Sequence, residues 1–201
     1  MRKLVALMTL LAGLALAQAQ NQASHTVTVQ IPSILTLQLD ASDYLFNFGE
    51  GNLQGTETVS VAGTPYTKAS KAAYDNFIDA ALGTQDFAPT SVAGAGGNDY
   101  GTMTIRSNRA AWTVTPSVSG TLTLGNGRVK VFAEKVSGKG GSWTTVPTPI
   151  TAVSTLISAP SGGQGKSVYK LYYLFTMDIN DDIPLSSINE QISITYTLTS
   201  P

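Results

Sequence analysis

His25-Thr26-Val27-Thr28-Val29-Gln30-Ile31, then Pro32-Ser33, then Leu35-Thr36-Leu37-Gln38-Leu39, is the stretch on which the fold class turns. Apolar residues occupy every second position on both sides of the proline. Period two is the signature of a strand that buries one face, because successive side chains point to opposite sides of a pleated backbone. A helix would need a period near 3.6, and neither half shows it. Proline cannot donate to a strand ladder, so Pro32 marks a bulge or an edge and the alternation resumes in a new phase beyond it.

The same pattern recurs along the chain. Tyr44–Phe48 is a short aromatic run closed by Gly49, and Thr56–Val61, Thr102–Arg106 and Ala111–Thr115 alternate or are rich in β-branched residues. Gly120–Leu124 and Arg128–Phe132 flank Gly125-Asn126-Gly127. Asn-Gly between alternating runs predicts a hairpin, since a type I′ turn needs positive φ at both central residues. Gly138–Gly141 predicts a second hairpin toward Trp143–Val146. Val168–Phe175 is continuously apolar or aromatic and reads as a central strand. Gln191–Leu198 places Ile192, Ile194, Tyr196 and Leu198 on one face. Residues 67–82 break the rule: Ala72, Ala73, Phe77, Ile78, Ala81 and Leu82 fall at helical spacing, and Gly83 stands where a helix closes. Residues 88–101 read as loop. Nine or ten short strands with turns between them and one inserted helix, over 67–82, predict an all-β, immunoglobulin-like β-sandwich.

Composition narrows the function classes. The chain has 201 residues, 42% of them hydrophobic and only 12% charged. Threonine (25) and serine (19) take the place of charge on the strands. There is no cysteine and one histidine, which excludes a disulfide scaffold, a thiolate zinc site, a cysteine nucleophile and a multi-histidine metal cage. A formal charge of −1 lacks the basic surplus of a nucleic-acid binder. Residues 1–19 read as a signal peptide: Arg2 and Lys3, an apolar run from Leu4 to Leu16, and the small-x-small sequence Ala17-Gln18-Ala19. That run is too short to span a bilayer, and no later segment is longer. The expectation is a single β-sandwich domain over 20–201, secreted to the cell surface or periplasm, with 10 Lys and Arg against 13 Asp and Glu.

Motifs that could carry chemistry are few. Pro160–Ser167 matches a phosphate-binding loop from its second position on, but an aromatic strand follows where that loop needs a helix. It reads as a surface loop. Asp178, Asn180, Asp181 and Asp182 resemble the start of a calcium loop, although Ile183 and Asn189 stand where glycine and glutamate are needed, so the alternative is a turn that ends the strand before Pro184. Trp143, after a glycine-rich turn, is a candidate sugar platform, whereas Trp112 lies in a β-prone run and reads as core. His25, the only imidazole, has no serine motif to serve.

The opening run Thr26–Pro32 with Leu35–Leu39 and Phe46-Asn47-Phe48-Gly49, and the closing Asp182-Ile183-Pro184 with Gln191–Leu198, resemble the first and last segments of secreted bacterial surface β-sandwich proteins of the spore-coat-U-type pilin-like and WxL-type families. Members of the first family usually carry a disulfide, which this chain lacks. The resemblance implies a non-enzymatic structural subunit of an extracellular fibre or cell-surface layer, associating with itself or with other envelope proteins. In its sharper form, residues 25–31 leave their own sheet and complete a neighbour's, with Val27, Val29 and Ile31 filling pockets; otherwise they pair within their own domain. The alternatives are a glycan- or calcium-binding module and, last, a secreted hydrolase.

Overall fold

A computed structural model describes residues 25–81, 83–141, 146–184 and 187–201. The signal-peptide residues, Leu82 and Trp143 lie outside that range. The fold is all-β with one short α-helix. Ser33–Pro201 forms a compact unit, and the described residues before it, 25–32, belong to a separate N-terminal unit.

The compact unit has thirteen described strands: β1 (Leu35–Leu39), β2 (Asp43–Leu45), β3 (Thr58–Val61), β4 (Thr64–Thr67), β5 (Thr84–Phe87), β6 (Ser91–Ala93), β7 (Gly101–Ser107), β8 (Trp112–Ser119), β9 (Val129–Ser137), β10 (Thr148–Pro149), β11 (Ile157–Ala159), β12 (Gly165–Asp178) and β13 (Ser193–Thr199). A six-stranded sheet runs β1-β7-β12-β9-β10, with β5 also on β12. A three-stranded sheet runs β11-β8-β13, and β2-β6 and β3-β4 are two-stranded ribbons. All pairings between these strands are antiparallel.

The run read as a central strand is the middle of β12. One edge of β12 pairs with β9 over Val168–Phe175, and the other pairs with β7 and then β5. Its apolar continuity follows from burial on both faces. Tyr169, Leu171 and Tyr173 face the three-stranded sheet and pack with Met103, Ile105, Trp112, Val114, Val131 and Ile157 in the main core. Tyr172 and Leu174, on the opposite face, pack with Val59 and Val61 of the β3-β4 ribbon and with Phe132. Two sheets closing over a shared apolar layer make a β-sandwich-like architecture.

The helix, α1 (Lys71–Ala80), is shorter than the 67–82 expected. Of the residues before it, Thr67 ends β4, Lys68 makes an isolated bridge to Ala88 and Ser70 is the N-cap. Ser70 sets the start: its backbone is extended and its hydroxyl accepts from the Ala73 N–H at 3.1 Å. Ala73 and Phe77 fall one turn apart and bury against Phe87 and Met177.

Three sequence expectations are corrected. Residues 25–34 form no strand. Residues 88–101 are not all loop, because Ser91–Ala93 pairs with β2. Gly125-Asn126-Gly127 is not a hairpin: β8 and β9 lie in different sheets, residues 120–125 form no strand, and Asn126–Arg128 is a 3-10 turn. Neither Asn126 nor Gly127 has positive φ. The Asn126 amide is used instead to close the sheet-to-sheet crossing, accepting from the Leu122 N–H and donating to the Gly120 carbonyl, both at 2.9 Å.

Candidate functional site

The interior of the sandwich is unevenly covered. At one end Trp112, Val114, Met103, Ile105 and Tyr169 are sealed. Toward the other, Tyr44, Phe46, Leu122, Phe175, Ile192, Ile194 and Tyr196 pack on the same core but are only half-buried. They surround a groove of about 1340 Å3 inside the compact unit. β12 lines it with Leu171, Tyr173, Phe175 and Met177, every second residue of the strand and hence one face. Further lining comes from Leu39 at the end of β1 and residues 41–49, and from residues 187–194 with Tyr196. Residues 187–192 carry no regular secondary structure.

Local sequence explains why this end stays open. β13 alternates Ile194, Tyr196 and Leu198, half-buried, with Ser193, Thr195, Thr197 and Thr199, exposed. It pairs with β8 and, among the described residues, with no other strand; β1 likewise pairs only with β7. Among the described residues each therefore keeps an unpaired edge, a natural template for another strand. The two approach within 8 Å without pairing.

A tyrosine cluster is set into the groove. The Tyr44 hydroxyl donates to the Leu171 carbonyl at 3.2 Å and accepts from the Gly101 N–H at 2.9 Å. Its ring meets that of Tyr173 edge-on, centroids 4.5 Å apart. Tyr173 and Tyr196 share a short hydroxyl–hydroxyl bond. Burial pushes all three phenols well above their usual range, and neighbouring tyrosines push Tyr44 and Tyr173 further. Tyr196 is half-buried as a residue but carries its hydroxyl inward to Tyr173. The three groups are thus neutral donors and acceptors on an otherwise apolar floor.

The expected assembly residues are open to solvent: Val27 is 83% exposed, Val29 73% and Ile31 79%. The aspartate turn is built differently from a calcium loop. Asp181 faces Arg128, Oδ1 to guanidinium 2.5 Å, and its other oxygen accepts from the Asp178 N–H at 2.8 Å. Asp178 Oδ1 accepts from the Asn180 backbone N–H at 3.0 Å and side-chain amide at 2.9 Å, which holds its carboxyl below the usual range. Asp182 is exposed. The carboxylates serve the turn and an ion pair, and among the described residues no three acidic, histidine or cysteine side chains gather as metal ligands.

Trp143 lies outside the described residues. Trp112 is core: it is 1% exposed, and its indole N–H donates to the Gly163 carbonyl at 2.8 Å. The phosphate-loop look-alike runs from an exposed bend at Pro160–Gly162 into β12 and precedes no helix. Sequence reasoning missed Tyr44, Tyr173 and the groove itself. Tyr196 was visible only as an inward-facing residue, since the convergence of these groups depends on pairings distant in the chain. No family model, curated protein or solved structure matches the chain.

Proposed function

We propose that the protein is a secreted, non-enzymatic structural subunit of an extracellular fibre or cell-surface layer, and that it self-associates through its N-terminal segment. One observation carries the reading: Val27, Val29 and Ile31 alternate as a buried strand face should, yet stand exposed and outside any sheet. An isolated strand with one apolar face gains nothing from water. Burying each of these side chains is worth about 1.5–3 kcal/mol, which offsets part of the cost of association. The segment holds no Lys, Arg, Asp or Glu that would need desolvation. The leader-like residues 1–19 support secretion, and hydroxyl-rich exposed strand faces suit a packed extracellular layer.

Deleting residues 25–31 tests the reading. The full chain should form filaments or sheets under the electron microscope, and the deleted chain should remain a folded monomer by light scattering and circular dichroism. Assembly of the deleted chain at an undiminished rate overturns the proposal. So does a full chain that stays monomeric at concentrations where the layer should form.

A further inference from the structure

The small net charge conceals a segregation that gives the molecule a second surface, independent of the N-terminal segment. Ten of the twelve Lys and Arg lie beyond residue 19. Lys68, Lys71, Arg128, Lys130 and Lys170 each face a carboxylate. The others, Arg106, Arg109, Lys135, Lys139 and Lys166, make no ion pair among the described residues, and they gather at the sealed end of the sandwich, opposite the groove. We propose that this end binds a linear acidic polysaccharide, whose carboxylates meet Arg106, Lys166 and Lys139 in a row across the six-stranded sheet.

Strand register assembles the row. Leu35 of β1 stands opposite Ser107 of β7, and Ser107 opposite Gly165 of β12, so the three strands share this end. One position in, Thr36, Arg106 and Lys166 lie side by side, all exposed, on the face turned away from Met103, Ile105 and Tyr169. Strand spacing sets them about 4.8 Å apart. The turn after β9 adds Lys139. Gly138, at φ +95°, packs so close to β12 that a Cβ there would collide with the Lys166 carbonyl, and the Lys139 N–H donates to Ser167 Oγ at 3.2 Å. Lys135 stands opposite Tyr169. Arg109 follows β7, its N–H held by Ser107 Oγ at 2.9 Å and its guanidinium by the Ser200 hydroxyl and the Pro201 backbone oxygen.

The sequence keeps acids away from this end. No Asp or Glu occurs in 100–133 or 135–177, and Glu134 between them faces Lys170. Like charges directly opposite on a sheet are destabilising, so Arg106 against Lys166 is a cost that a bound anion removes. A second copy is a poor source of that anion, because acids of the groove end are already engaged: Asp181 by Arg128, Asp178 by Asn180, and Glu190 and Asp40 by the Thr123 and Thr102 N–H groups. A bilayer is a poor one too. Ile34 and Val136 expose aliphatic surface here, but β7 and β12 separate Ile34, at the start of β1, from Val136 on β9, so the two form no apolar patch. The cations stand instead among exposed neutral hydrogen-bonding groups, Thr36, Gln38, Ser137 and Gln164, which suit sugar hydroxyls.

Calorimetric titration of the full chain tests this, with oligogalacturonate as the probe and neutral dextran, duplex DNA and phosphatidylglycerol vesicles beside it. Oligogalacturonate should bind saturably at low salt and more weakly as salt rises, and dextran should not bind. Arg106→Gln combined with Lys166→Gln should weaken binding at least about tenfold, as the loss of a charge-assisted contact does. Lys71→Gln removes an exposed cation that faces Asp75 and should leave binding unchanged. Arg106→Glu separates lost binding from lost folding: set opposite Lys166 it replaces repulsion by attraction, so the free protein should melt higher at low salt while binding disappears. No saturable binding, an equal loss in Lys71→Gln, DNA or vesicles bound more tightly than the oligosaccharide, or Arg106→Glu binding like the parent chain overturns the assignment. The chain lacking residues 25–31 should bind undiminished, so this surface and self-association through the N-terminal segment fail separately.

Discussion

Two residue-scale features govern stability here, and both have measurable consequences. The first is the indole of Trp112, which is held by the Gly163 carbonyl; a Cβ at Gly163 would come within 2.5 Å of the indole nitrogen and 2.8 Å of its Cδ1. Neither the rigid ring nor the Gly163 backbone, whose N–H donates to the Ala110 carbonyl at 2.7 Å, has room to yield. Gly163→Ala should therefore destabilise by about 1–3 kcal/mol, as overpacking does, seen as a lower urea midpoint with an unchanged slope. The second is the cluster of Tyr44, Tyr173 and Tyr196, whose phenols are raised by burial. A raised folded pKa means that the native state holds its proton more tightly than the unfolded chain. The stability this provides is complete below pH 10, the unfolded value, and is lost as pH rises through the folded values. Each such group adds about 1.4 kcal/mol per pH unit to the loss above pH 10, and Tyr169 and Tyr172, also raised by burial, add to it, so the domain should unfold cooperatively in alkali. Tyr196→Phe should make that slope shallower. An alkaline transition unchanged by this substitution would show that Tyr196 does not take part.

At the scale of elements, α1 depends on its start. Ser70 is buried, and its hydroxyl caps the Ala73 N–H while its backbone carbonyl accepts from Tyr74 at 3.0 Å. Ser70→Ala should cost about 1 kcal/mol and lower the melting temperature by roughly 2–4 °C; an unchanged melt would mean that water replaces the cap. Elements whose burial follows from their own residues were legible in the sequence. The run Val168–Phe175 could only be a central strand, Ile194, Tyr196 and Leu198 gave β13 its inward face, and the period of Ala73 and Phe77 marked the helix. Elements that depend on distant partners were not. β5 contains Thr84, Gln85 and Asp86, a poor strand by composition, and exists because β12 offers it an edge; Asp86 is then held by Lys130 at 2.7 Å and by Thr176. The Asn126 turn misled for the converse reason: its residues suit a hairpin, but the chain must cross between sheets there, where the Asn126 amide bonds to Leu122 and Gly120 and the Thr123 N–H donates to the distant Glu190 carboxylate. The segment 25–31 has the pattern of a strand but forms none, and the groove was invisible because its walls come from residues 39–49, β12 and the stretch before β13.

At the scale of the whole molecule, self-association through the N-terminal segment, as proposed, would join that segment to a different surface of a neighbour and would therefore be heterologous. Each copy would then give its N-terminal segment to one neighbour and receive a segment from another. Unless the rotation closes into a ring or two copies swap reciprocally, such a contact propagates without limit. The two outcomes respond oppositely to a copy lacking residues 25–31. In an open chain the deleted copy accepts a segment but gives none, so it terminates growth at one end, and mean length should fall in proportion to the fraction of deleted copies. In a closed reciprocal dimer the deleted copy instead forms a single species with the full chain, leaving the full chain's own acceptor surface empty, and no length distribution exists to shorten. Mixing full and deleted chains at ratios from about one hundred to one down to one to one, with lengths measured by electron microscopy and mass by light scattering, should show a graded shortening. A fixed dimer mass at every ratio would establish the closed form and exclude a fibre built by this exchange.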